Sequence, residues 1–174
     1  MMIAGTGGPA EGDALAARLI GLPIPSVRLG GGWHYTMDLA EYAVTCQRVV
    51  TFFYPDARHE RPDGPNAQAR RAFNEIETEL AKKRYRIVGI SSQFEGALQC
   101  FAGMERLNYL LLSDPALWVA DALGLPKLEL DGRQSYARLT LVAIDGVIRK
   151  VFYPISHPEQ NAEQVLAWIS AHGL

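Results

Sequence analysis

Residues 48–54, RVVTFFY, form a continuous apolar and aromatic run closed by Pro55, and a run of this kind predicts a strand covered on both faces. After the polar stretch DARHERPDG, apolar positions return at Ala69, Ala72, Phe73, Ile76 and Leu80, a helical spacing that predicts a helix from about Asn66 to Lys83. The rhythm then repeats: YRIVGISS predicts a second buried strand and FEGALQCFAGMERLNY a second helix. YLLLSDPALWVADALGL reads as a short apolar piece, a turn and another helix, with Ser113 or Asp114 as its cap. Beyond a charged loop, RLTLVAI and VIRKVFYP alternate around Asp145-Gly146, the dipeptide of a tight hairpin. A closing helix is expected from Asn161 to Ala171, with Asn161 and Gln164 in capping-box spacing and Val165, Leu166 and Ile169 turned inward.

Ahead of this series, residues 1–20 read as an N-terminal extension containing the amphipathic segment DALAARLIGL. PIPSVRLGGGWHYTMDLAEY follows as a hairpin turning at Gly30 to Gly32, set before the main sheet. Two parallel β-α units, a connecting helix, an antiparallel hairpin and a closing helix predict an α/β protein with a mixed central sheet flanked by helices. That is a thioredoxin-like order of elements, expected as a single domain over residues 1–174.

Composition narrows the partners. The net charge of -2 and interspersed signs leave no extended basic surface for nucleic acid and no polybasic arm for a membrane, so a small-molecule ligand or another protein is expected. With no basic start followed by a long apolar run, the expected location is cytoplasmic. Cys46 and Cys100 form neither a CxxC pair nor a zinc spacing with histidine, and are expected as inert thiols, Cys100 half-buried on its helix. His34, His157 and His172 sit apart, so no metal site is predicted, and GTGGP and Gly30–Gly32 lack the lysine and hydroxyl of a phosphate loop. No cofactor is called for.

The pieces VVTFFYP, VGISSQ, LLSDPALWVADALGLP, ARLTLVAIDGVIRKVFYP and NAEQVLAWI, in this order, resemble the peroxiredoxins of the alkyl hydroperoxide reductase and thiol-specific antioxidant class. The resemblance runs from Val49 through Ala171 and implies a peroxiredoxin-type thioredoxin fold, with association into homodimers. It also implies a peroxidatic cysteine at the start of the helix after FYP, where free amides and the helix dipole lower a thiol pKa. With Pro55 as the matching proline, the family's threonine falls on His59 and its cysteine on Pro62. Counting back from the helix instead places the cysteine near Pro65, and a resolving cysteine falls near Ala67 or Arg70. No cysteine stands at any of these positions. Arg138, which opens RLTLV, matches the family's second active-site arginine.

Three readings follow. In the first, the cleft serves another small-molecule reaction: His59 acts as acid or base, Glu60 as its orienter or a second base, and Arg58 or Arg138 as an anion clamp, with Tyr54, Pro55, Arg58 and Asn66 as binding residues for an anionic or carbonyl-bearing ligand. In the second, the chain is a non-catalytic interaction module in which DARHER is a solvated loop and Arg138 pairs with Glu129 or Asp131 at the surface. The third is a thiol peroxidase working through a relocated Cys100 or Cys46. A retained arginine above a rebuilt polar turn favours the first.

Overall fold

The computed structural model describes residues 8–32, 35–56 and 60–173. The elements are α1 (Pro9–Leu19), β1 (Arg28–Gly32), β2 (Tyr35–Asp38), α2 (Leu39–Cys46), β3 (Arg48–Phe53), α3 (Pro65–Lys82), β4 (Arg86–Ser91), α4 (Glu95–Met104), β5 (Leu110–Ser113), α5 (Trp118–Leu123), β6 (Lys127–Leu130), β7 (Arg133–Tyr136), β8 (Leu139–Ile144), β9 (Val147–Phe152) and α6 (Pro158–Ala171). Seven strands form one sheet in the order β2-β1-β5-β4-β3-β8-β9. β3, β4 and β5 run parallel, while β8, β9 and β1 run against their neighbours, which makes the mixed sheet that the element order predicts.

Strand alternation distributes the core. Val49 and Phe53 of β3, with Leu139, Leu141 and Ala143 of β8, enter the cluster under α1, α2 and α5, alongside Leu15, Leu19, Leu39 and Val119. Val50, Phe52 and Tyr54 face the other way, onto Phe73 and Leu80 of α3, Leu98 of α4, and Val165 and Ile169 of α6. Both faces of β3 are therefore covered, which is why its sequence shows no polar alternation.

Several local expectations change. The N-terminal segment is part of the core: Leu15 and Leu19 are buried, and α1 lies so close to the end of β9 that a Cβ on Gly12 would come within 2.1 Å of the Tyr153 carbonyl. The glycine run lies within the strand instead of forming the turn, because Gly30 pairs with Thr36 and Gly32 with Tyr35; Trp33 and His34 lie outside the described residues. This hairpin also joins the main sheet, where Gly30 pairs with Ser113 of β5. The charged loop is a second hairpin, β6-β7, turning on Asp131 and Gly132 at φ 50° and 73°, the left-handed geometry that Asp145 and Gly146 adopt at 52° and 76°. The closing helix begins at Pro158, so Asn161 lies inside it, buried, and accepts a 2.6 Å hydrogen bond from Thr140 Oγ1 of β8. Between β5 and α5 the cap position falls on Leu117 instead of Ser113 or Asp114, yet Asp114 still takes up the first helix amides from three residues before it. Asp114 accepts from the amides of Trp118 and Val119, both at 3.0 Å, and from the Tyr136 hydroxyl at 2.5 Å.

Candidate functional site

The C-terminal ends of β3, β4 and β5 lie along one edge, where parallel α/β sheets present their loops to ligands. A buried polar ribbon links them. The Asp56 amide donates to Ser135 Oγ at 2.6 Å, Ser135 Oγ lies 3.3 Å from Ser92 Oγ, and Ser113 Oγ donates to the Gln93 carbonyl at 2.6 Å. Above β3 the chain crosses to α3, which opens with extended Gly64 as its cap and Pro65 in its first turn. Proline suits that place because its missing N–H would have no helical partner there.

Asn66 is the joint of this corner. Its Nδ2 donates to the Pro55 carbonyl at 2.8 Å, and its Oδ1 accepts from Arg138 Nη2 at 2.5 Å. The entry to the loop, the start of the helix and the approach to β8 are thus tied through one buried carboxamide. The space between Asn66 and Arg138 is closed by this contact. Arg138 binds neither Glu129 nor Asp131; it turns inward, and its Nη1 is buried without a hydrogen-bond partner among the described residues. Burial pushes its pKa down to about 10, against the attraction of Glu60 and helped by the repulsion of Arg70. Beside it lies a cavity of about 10 Å³ lined in part by Tyr54, Thr140, Pro158 and Asn161, room for about one water molecule.

Deeper in the same corner, Arg70 of α3 is 1% exposed. It makes a two-pronged pair with Glu105, Nε to Oε2 at 2.9 Å and Nη2 to Oε1 at 2.7 Å. Glu60 meets it more loosely: Oε2 accepts from Nη1 at 3.3 Å, while Oε1 lies 3.1 Å from Nη2 without hydrogen-bond alignment. Burial alone would lower the Arg70 pKa, but the Glu105 hydrogen bonds, with Tyr54 and Glu60, outweigh it and hold the guanidinium above its ordinary value. Its plane lies over Phe101 at 4.3 Å and near Tyr54 at 5.5 Å. The Tyr54 hydroxyl is buried without a hydrogen-bond partner among the described residues, and that burial raises its pKa.

Of the residues expected at the site, Tyr54, Pro55, Glu60, Asn66 and Arg138 come together at this end of the sheet, and Glu60 is engaged with Arg70. Arg58 and His59 lie outside the described residues. Arg70 and Glu105 were not among the expected residues. A signal for Arg70 was present: Asn66, Arg70 and Phe73 follow one another at helical spacing, so a charge falls on the core-facing stripe and requires a buried partner.

The helix start places the two counted positions. Pro65 opens α3 and Pro62 lies in the turn before it, so neither counting register places a thiol there. Cys46 ends α2, beside the opposite end of β3, roughly 20 Å away by strand rise. Cys100 is exposed on α4 rather than half-buried, with its sulfur 3.5 Å from that of Met104.

No family model matches the chain. Peroxiredoxin Bcp of Escherichia coli K12 is 30% identical over 135 residues, covering 72% of this chain and 80% of the relative. The crystal structure of peroxidoxin BcpB from Mycobacterium tuberculosis superposes with a TM-score of 0.75 at 26% identity, over 88% of this chain and 97% of that one. A cysteine-to-serine mutant of PrxQ from Xylella fastidiosa shares the fold at a TM-score of 0.75 and 19% identity, over 89% of this chain and 97% of that one. The likeness to the first spans most of both sequences, and the fold accords with it: the chain belongs to the peroxiredoxin family.

Proposed function

We propose that this peroxiredoxin-family chain runs no thiol peroxidase cycle at the start of α3, and that the Arg138 corner binds a small carboxylate or carbonyl compound. The observation that carries this reading is the buried Arg138 Nη1, a charged donor without a partner among the described residues, beside an oxygen-sized cavity. A guanidinium with a pKa of about 10 keeps its charge at neutral pH, and its burial cost is relieved by an anionic oxygen. The cavity admits one oxygen atom, so the remainder of the ligand lies outside it. In the enzymatic form of this reading, Glu60 is held by Arg70 and the proton carrier is His59.

Two measurements test it. With dithiothreitol and hydrogen peroxide, turnover by the wild type should equal that of Cys46→Ser/Cys100→Ser; strong peroxidation that disappears in either single serine variant would restore a thiol mechanism. Pyruvate, followed by calorimetric titration, should bind the wild type, and Arg138→Ala should weaken it by roughly tenfold or more, the loss of a charge-assisted hydrogen bond. An unchanged pyruvate affinity in a folded Arg138→Ala protein would end the ligand reading.

A further inference from the structure

At the far side of the same rim, β1, the start of α4 and the β5-α5 turn enclose a groove of about 630 Å³. That is within the range of small-molecule sites. Its floor is made by glycine. Arg28 and Gly30 fall on one face of β1 by strand alternation, and a Cβ on Gly30 would come within 1.7 Å of Glu95 Oε1. The absence of a side chain thus lets the Glu95 carboxylate rest on the strand, one pleat from Arg28.

The groove carries charges and rings with hydrogen-bonding or contact capacity to spare. Arg28 and Glu95 both line the groove and neither makes a hydrogen bond or ion pair among the described residues, although Arg28 stands opposite Asp38 across the β1-β2 pair and its charge helps hold that carboxyl below the usual range. Asp114 differs, since its carboxylate is engaged by two amides and the Tyr136 hydroxyl. Phe94 and Trp118 line the same groove and are 71% and 57% exposed. Two exposed aromatic side chains beside one depression that also holds a guanidinium and a carboxylate with hydrogen-bonding capacity to spare make a recognition surface rather than scattered surface apolarity.

We propose that this groove binds a small zwitterion bearing an aromatic ring, of the chemical class of an aromatic α-amino acid. Its carboxylate pairs with Arg28, its ammonium with Glu95, and its ring lies against Phe94 and Trp118. A simple aromatic acid would meet the uncompensated Glu95, and a simple amine the uncompensated Arg28. The opposite charges on the two walls therefore select a ligand carrying both.

The test is a calorimetric comparison of L-phenylalanine, phenylacetate, phenethylamine and L-alanine. L-phenylalanine should bind roughly tenfold or more tightly than the other three. Arg28→Gln should abolish its advantage over phenethylamine, and Glu95→Gln its advantage over phenylacetate, while Trp118→Ser should weaken all three aromatic compounds. No saturable binding of L-phenylalanine up to about 10 mM, equal binding of L-alanine, or indifference to both charge variants would overturn the proposal. So would concentration-dependent self-association that Trp118→Ser abolishes, because a second copy of the chain would then be the occupant.

Discussion

Replacing Arg70 by methionine removes the cation between Glu60 and Glu105 while keeping a side chain of similar length. The two carboxylates are left with side-chain exposures of 5% and 9%, and the cation stacked on Phe101 at 4.3 Å is lost with them. Stranding one member of a buried pair costs about 3–5 kcal/mol, and little relief is available to carboxylates this far from water. For a chain of 174 residues, that corresponds to a fall in Tm of roughly 6–20 °C. Urea titration followed by circular dichroism measures the loss directly. Neutralising the partners separates charge from packing: Arg70→Met/Glu60→Gln/Glu105→Gln should recover most of the lost stability. Glu105→Gln alone should cost more than Glu60→Gln, because Glu105 makes the shorter, aligned contacts at 2.9 and 2.7 Å. A loss below about 1 kcal/mol for Arg70→Met, or a triple variant no better than the single one, would show that the triad does not hold this corner through its charges.

Tyr54, Tyr109 and Tyr136 have pKa values raised above 10, in each case chiefly by burial, so their contribution to stability is intact below pH 10 and is lost as pH rises beyond it. Tyrosinate absorbance should therefore rise together with unfolding; normal titration of all three in the folded protein would refute their burial. Asp114→Ala should cost roughly 2–4 kcal/mol in urea titration by removing a helix cap and stranding the Tyr136 hydroxyl, with partial recovery in Asp114→Asn. Pyruvate affinity should stay flat from about pH 7.5 to 9 and fall as pH rises through about 10, where Arg138 gives up its proton. A fall centred between about pH 6 and 7 would instead assign the contact to a histidine.

What the sequence determined by itself was whatever depends on neighbours along the chain. The apolar run of β3, the helical stripe of α3 and the Asp145-Gly146 turn all follow from local spacing and backbone preference, and the missing thiol before α3 is a matter of composition. The β6-β7 hairpin was also locally signalled, by Asp131-Gly132, but its strands are short and largely polar, so charge outweighed alternation in reading it as a loop. Tertiary structure decided the pairings. Whether Arg138 reaches Asn66, 72 residues away, or a surface carboxylate nearer in sequence depends on which strand lies beside β3. Arg70 becomes a buried hub only because α4 brings Glu105 to it from 35 residues along the chain. Asn161, expected to cap a helix, spends its carboxamide oxygen on Thr140 because α6 starts a turn earlier and packs its opening against β8. Periodicity states which face of an element is buried; the partner of a buried polar group is a long-range relation that only the assembled sheet and helices supply.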